Sequence, residues 1–350
     1  MAQTLNRDKS IDIAKGIGIL LVVLGHCPYV WNPVKQWLYS FHMPLFFMIS
    51  GLLWDKASHE KRGFLNASFV VKKLQRLMIP CYIWALLYYA VNCIKARSFS
   101  FLKVAYLLYG SQAGFSKAGS LSSLWFFPCM FLTVCAFEGI QRLLIKRNVN
   151  QVVLLILAFF SAVASVCLPR LPQGYPWCLD VSFAALAFMI LGYLIKEYYV
   201  AVSRKSGIAI AACLLGFLLL TFTFRFNLSR ISINNVDLAG RYFGNPLLYF
   251  FDAACGSLFV LSLSGLLNAY ERVSNLLAGI GRRTIPILVI HKPVVRAAAA
   301  VAEKLEIHPF LGVACGMVFA LLVSEILYRL LSKRLPILFG EGKLSLSRRS

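Results

Sequence analysis

Acidic side chains are scarce in this chain. Asp and Glu number 14 against 36 Lys and Arg in 350 residues, and charged residues of both signs make up only 14% of the sequence. The ten cysteines show no CxxC pair and no metal-ligand spacing, which excludes a zinc ribbon or a thioredoxin-type motif and leaves buried free thiols as their role. No Walker-type loop or dinucleotide fingerprint occurs, so any nucleotide-bearing ligand must be held by point charges and helix ends. The two halves of the chain show no repeat, which counts against an inverted-repeat carrier. The polar N-terminus, with Arg7 and Lys9, is not followed by a small-residue cleavage site, so the first apolar stretch is expected to stay in place as a span.

What the chain does have is apolar length. Hydrophobic residues reach 59% and the mean hydropathy is +0.72, with runs of about twenty residues that match the thickness of a bilayer core. A soluble protein is excluded. Ten segments are expected to cross the membrane, near 13–30, 37–54, 77–94, 123–141, 152–168, 179–195, 207–224, 245–267, 284–300 and 309–331. The expected fold is all-α, a polytopic transmembrane helical bundle. It forms one membrane-embedded domain over residues 1–340, followed by a polar basic tail at 341–350.

The net charge of +22 would suit nucleic acid if it formed a patch, but it is distributed by loop. Of the 36 basic residues, 23 fall at the N-terminus, on the loops 55–76, 142–151, 196–206 and 268–283, and at the C-terminal end. Ten fall on the intervening loops, and Lys15, Lys292 and Arg296 lie within spans. The positive-inside rule then places both termini in the cytoplasm. The basic excess is topological, its contacts are anionic lipid head groups, and nucleic acid is not a partner.

The first span carries the most informative pair. His26 follows Lys15 by eleven positions in IDIAKGIGILLVVLGHCPYV, and eleven helical steps return to within about 20° of the starting face while climbing roughly 16 Å. Ionisable residues inside hydrocarbon are costly and point to function. Counted from Ile13, His26 sits roughly 20 Å into an apolar layer of about 30 Å, while Lys15 stays near the cytoplasm. A cytosolic donor with an anionic head and a long flexible arm would span that stripe, and acyl-coenzyme A has this shape.

The run RDKSIDIAKGIGILLVVLGH followed by SFHMPLFFMISGLL resembles the opening of the acyltransferase-three family of integral-membrane O-acyltransferases. In that family the first helix carries a basic residue, ten intervening positions and a histidine. KKLQRLMIP at 72–80, LWFF at 124–127, LDVSFAALAFMILGYLI at 179–195, GNPLLYF at 244–250 and GRRTIPILVIH at 281–291 agree with it. The DIAKGIGILLVVLGH form resembles in particular the fucose 4-O-acetylase-like branch. The commoner family pattern has Arg where this chain has Lys15, a change that keeps the charge and loses the bidentate fork.

The resemblance implies transfer of an acetyl or short acyl group from acetyl-coenzyme A (acyl-CoA) to a hydroxyl of a carbohydrate or glycan. The protein would be a multi-pass one of the cell membrane, the bacterial inner membrane, acting in the cell envelope. It makes His26 the general base, for which imidazole suits because its pKa lies near neutrality; a covalent acyl-histidine is the variant. Lys15, Arg76 and His291 are expected to bind the donor, with positive-inside anchoring the alternative for Arg76 and its neighbours Lys72 and Lys73.

His42, Ser50, Trp125, Asp180 and Asp252 are expected on the acceptor side or in support. Ser50 either donates to a developing oxyanion or serves helix packing. Trp125 either forms a sugar platform beneath a mobile lid of GSQAGFSKAGSLSS at 110–123 or closes a flexible connector as an interfacial belt residue. Asp252 falls at the depth of His26, either to orient it or to pair with Lys292 or Arg296. Asp180 and the loop with Asn234, Asn235, Asp237 and Arg241 offer hydrogen bonds to hydroxyls. A rival reading is a transporter or flippase for a lipid-linked saccharide or small polar solute, since intramembrane His, Asp and Lys also form proton relays. No metal is expected.

Overall fold

The computed structural model describes residues 9–55, 67–147, 150–203, 206–227 and 236–342. Arg7, Asn234, Asn235 and the tail from residue 343 on lie outside the described residues. The architecture is all-helical, and the one β-bridge among the described residues joins Asp237 to Tyr242. Seven stretches are long and apolar enough to cross a membrane: Ala67–Ala96, Ser122–Leu144, Pro176–Leu194, Ser206–Phe226, Pro246–Leu267, Thr284–Lys304 and Pro309–Leu331. A multi-pass membrane protein accounts for them.

The other three expected spans differ from that standard for local reasons. Helix α1 (Lys9–His26) has the length but carries Lys9, Asp12 and Lys15 at one end. The stretch Gln151–Cys167 is a shorter apolar helix of 17 residues. The second expected span, 37–54, is not one helix. It breaks into α2 (Asn32–Tyr39) and α3 (His42–Leu52), with Phe41 between them at φ −143° and ψ −19°. The cause is a wedge. The Phe41 ring is fully buried, and a Cβ on Gly256, far along the chain, would lie 2.2 Å from its Cγ.

The remaining elements follow in order. Helix α4 (Ala67–Lys73) runs through one π-helical turn, Leu74–Met78, into α5 (Ile79–Ala96). Pro80, near the start of α5, has no N–H to return to the preceding turn, and the widened turn takes up the mismatch. Then come α6 (Phe101–Tyr109), α7 (Gln112–Lys117), α8 (Phe126–Arg147), α9 (Gln151–Cys167) and α10 (Leu179–Leu194). They are followed by α11 (Lys196–Ser203), α12 (Ser206–Thr223), α13 (Pro246–Leu267), α14 (Glu271–Gly281), α15 (Thr284–Lys304) and α16 (Pro309–Leu331).

Helix α1 is central, packing against α3, α13, α14 and α15. Its contact with α14 is backbone to backbone: a Cβ on Gly281 would lie 1.8 Å from the Asp12 carbonyl oxygen, and one on Gly16 would lie 2.1 Å from that of Leu277. Small residues let membrane helices approach this closely. The outer helices α12 and α16 are only 22% buried, as lipid-facing helices should be.

The glycine- and serine-rich stretch 110–123 is neither a flexible connector nor a lid. It folds into α7, capped by Ser111 Oγ accepting from Gly114 N at 2.8 Å, and a 3-10 turn at Ser122–Trp125. Phe115 and Leu124 are fully buried and Trp125 is 6% exposed. Apolar anchors hidden among the small residues hold the segment to the core, and Trp125 is packed into that core.

Candidate active site at the two ends of helix α1

Lys15 and His26 stand on one uninterrupted helix, so the eleven-residue register carries over into the fold. At the charged end of α1 a cavity of about 410 Å³ is lined by Asp12, Lys15, Arg76 and Arg282, with Thr284 at the start of α15 and Glu341. The π turn after α4 brings Arg76 there. Gly340, at φ +68°, rests on the Arg76 carbonyl, where a Cβ would lie 2.3 Å away. Around this cavity Lys15 Nζ is 3.4 Å from Asp12 Oδ1 and Arg282 Nη1 is 3.9 Å from Asp12 Oδ2.

At the other end of α1 three imidazoles and Tyr39 form a chain of ring contacts, His291 to His26 to Tyr39 to His42. The His26 and His291 rings lie 5.1 Å apart between centroids, and the Tyr39 and His42 rings 4.9 Å. His291 Nδ1 is 3.0 Å from the carbonyl oxygen of Ile287 and 2.9 Å from that of Leu288. Carbonyls only accept, so Nδ1 carries the hydrogen and Nε2 the lone pair. That Nε2 is buried without a protein partner. His42 Nδ1 donates in the same way to Leu38 O at 2.6 Å.

His26 Nδ1 is 3.3 Å from the Tyr39 hydroxyl, which also lies 3.5 Å from the Gly25 carbonyl. A Tyr39 hydrogen directed to Gly25 makes Tyr39 the acceptor from His26 Nδ1 and puts the His26 lone pair on Nε2; directed to Nδ1, it leaves the imidazole hydrogen on Nε2. In the first arrangement both imidazoles carry an Nε2 lone pair that a hydroxyl group could satisfy.

Lys292 donates to Ser122 Oγ and lies within electrostatic reach of His26 and of Asp237. The acid within electrostatic reach of Lys292 is therefore Asp237. Asp252, expected in that role, receives a hydrogen bond from Thr223 between α12 and α13, and its Oδ2 is buried without a partner. Its expected pairing with Lys292 or Arg296 is not what the fold shows, because equal depth does not bring side chains to the same face. Ser50 Oγ lies 2.9 Å from Phe46 O and 3.6 Å from Met130 Sδ, two acceptors for its single hydrogen, two turns along α3 from His42, and serves packing.

Asp180 is paired with Arg241, Oδ2 to Nε, at 2.6 Å. The two line a second cavity of about 260 Å³ together with Gln112, Arg170, Tyr175 and Tyr242. Asp237 holds the turn that supplies part of its lining: its carboxylate accepts from Ala239 N at 3.1 Å, Gly240 N at 3.2 Å and Gln112 Nε2 at 3.4 Å. Burial pushes the Asp237 carboxyl above the usual carboxylate range, partly offset by those donors.

The domain model of the acyltransferase-three family, described as an acyltransferase domain, matches residues 8–329. The chain belongs to this family. Among curated proteins it is 29% identical over 190 residues to the nodulation protein NolL of Sinorhizobium fredii, covering 51% of this chain and 49% of that one. To the nodulation protein NolL of Mesorhizobium japonicum it is 27% identical over 197 residues, covering 52% and 49%. The chain thus spans about half the length of the curated relatives it matches. No solved structure matches it.

Two residues in this acyltransferase-family site escaped the sequence reading. Tyr39 lies thirteen positions from His26 on a separate helix, so no periodicity relates them. Arg282 shares the cavity with Lys15 only because α14 runs back along α1.

Proposed function

We propose that this protein is an integral-membrane O-acyltransferase that moves an acetyl or short acyl group from cytosolic acetyl-coenzyme A to a hydroxyl of a carbohydrate. Both termini would be cytoplasmic, and ten crossings would place it in the cell membrane, the bacterial inner membrane. The observation that carries the reading is the run of α1 from a cavity rich in cations, at Lys15, to the facing imidazoles His26 and His291. The rise between Lys15 and His26, roughly 16 Å, separates the donor's phosphates from its thioester.

Lys15, Arg76 and Arg282 hold the phosphates as a cluster of positive charges lining one cavity. His26 Nε2 takes the proton of the acceptor hydroxyl as its oxygen bonds to the thioester carbon. When the C–S bond breaks, the imidazolium returns that proton to the coenzyme A thiolate. Tyr39 holds His26 in the tautomer that leaves Nε2 free. His291 Nε2, the second lone pair, accepts the imidazolium N–H before it is passed on. Membership of an acyltransferase family favours this reading over a transporter or flippase, for which only the intramembrane charges speak.

Incubation of the purified protein with labelled acetyl-coenzyme A and a panel of glycans tests it. Labelled glycan is expected from the wild type and not from His26→Ala. Undiminished transfer by that variant at equal protein level would sink the assignment of the base.

A further inference from the structure

The cavity of about 260 Å³ lies away from the donor's charges and is built more rigidly than they are. Its wall is Arg241, which is 3% exposed. Besides the bond to Asp180, its Nη1 donates to Ser165 O at 2.7 Å and Leu168 O at 2.9 Å, and its Nη2 to Pro169 O at 2.9 Å. Four of its five N–H groups are thereby spent within the protein.

Arg241 is held at φ +54°, and so, across the cavity, are Trp177 at φ +52° and Cys178 at φ +56°. Left-handed backbone at three residues that are not glycine is costly and persists where the surroundings impose it, commonly around ligand sites. The turn at Asp237–Tyr242 adds a ring: a Cβ on Gly240 would lie 2.5 Å from the Tyr242 ring, so the glycine lets that ring lie on the turn. The Arg170 guanidinium stacks 5.0 Å from its centroid.

The groups left over face the cavity's interests rather than the frame's. Among the described residues, the Tyr175 and Tyr242 hydroxyls have no protein partner. Arg170 spends only Nη2, on Arg241 O at 2.8 Å. Gln112 gives one N–H to Asp237 and keeps its carbonyl. Aromatic rings beside fixed planar donors and acceptors match one pyranose, with its apolar C–H face and its rim of hydroxyls. Asp237, which holds the turn behind these residues, is within electrostatic reach of Tyr39 and Lys292, the neighbours of His26.

We propose that this cavity binds the terminal pyranose of the acceptor, with Arg170, Gln112 and Tyr175 on its hydroxyls and a tyrosine ring on its C–H face. The proposal rests on the O-acyl transfer reading and adds where the acceptor sits.

The test uses the full-length protein in nanodiscs and methyl glycosides of fucose, glucose, galactose and N-acetylglucosamine as probes. Saturation-transfer NMR reads binding, and labelled acetyl-coenzyme A reads transfer. At least one glycoside is expected to bind and to be acylated. Arg170→Ala, at an exposed rim position, and Ala113→Trp, which fills the cavity, are expected to raise the KM for that glycoside at least tenfold, with kcat and coenzyme A affinity near wild type. Retained coenzyme A affinity shows that each variant is folded. Transfer with unchanged glycoside KM in both variants overturns the acceptor site and leaves the transfer reading standing. Glycoside binding that Ala113→Trp abolishes, without transfer by the wild type, upholds the site and overturns the reading. Neither binding nor transfer overturns both.

Discussion

The two cavities, one at the charged end of α1 and one beside the Asp237–Tyr242 turn, are built on opposite principles. In the first, Lys15 and Arg282 both approach one carboxylate, Asp12, at 3.4 and 3.9 Å. In the second, the Arg241 pair is 2.6 Å and buried, with its remaining hydrogen bonds given to carbonyls. Several cations on flexible stems around one carboxylate suit a polyanion that arrives with its own charge. A spent, immobile guanidinium suits a ligand recognised by shape and by hydroxyl geometry. On the proposed reading the first cavity takes the donor and the second the acceptor, an assignment that can be broken experimentally at either one.

The largest effect is expected at the point the two ends share. His26→Ala should lower transfer by about 10²- to 10⁴-fold with donor affinity retained, read by single-turnover transfer alongside coenzyme A binding. Loss of donor affinity in step with rate would instead place His26 in the donor cavity.

Next comes the rigid end. Arg241→Ala leaves the Asp180 carboxylate buried without its partner and should cost about 3–5 kcal/mol of stability, seen as a large fall in Tm in detergent. A shift no larger than that of an exposed substitution would show the wall to be incidental.

The first cavity should respond in binding rather than stability. Lys15→Ala is expected to weaken coenzyme A binding about tenfold, the order of one charge-assisted hydrogen bond. Lys15→Arg is expected to retain it, with little change in Tm for either. Unchanged affinity in the alanine variant would remove Lys15 from the donor site.

The smallest effect concerns pH. Because the Asp237 carboxyl is raised in the folded protein, its contribution to stability is fully present below its unfolded value and is lost as pH rises through the folded one. Asp237→Asn keeps an acceptor for the turn and should flatten the fall in Tm between acid and neutral pH. A slope equal to that of the wild type would place the responsible group elsewhere.

What the sequence made legible follows from what a single helix can encode. Lys15 and His26 share an uninterrupted helix, so their register needed only helical geometry. The apolar runs showed the all-helical membrane fold for the same reason. The break at Phe41 was hidden because its cause, Gly256, lies on another helix more than two hundred residues away. The stretch 110–123 misled because small residues mark loops on average, while Phe115 and Leu124 within it anchor a fold. Asp252 was misplaced because depth is one coordinate of three, and the fold turns it to Thr223 and gives its expected partner to Asp237.

The central proposal is that His26 joins the donor held at Lys15 to the acceptor hydroxyl. Single-turnover transfer by the purified protein in nanodiscs, with labelled acetyl-coenzyme A and a methyl glycoside both present, tests it most directly. The account predicts labelled glycoside from the wild type, and none from His26→Ala at equal protein level and with coenzyme A still bound. Product formed equally by the variant would contradict it.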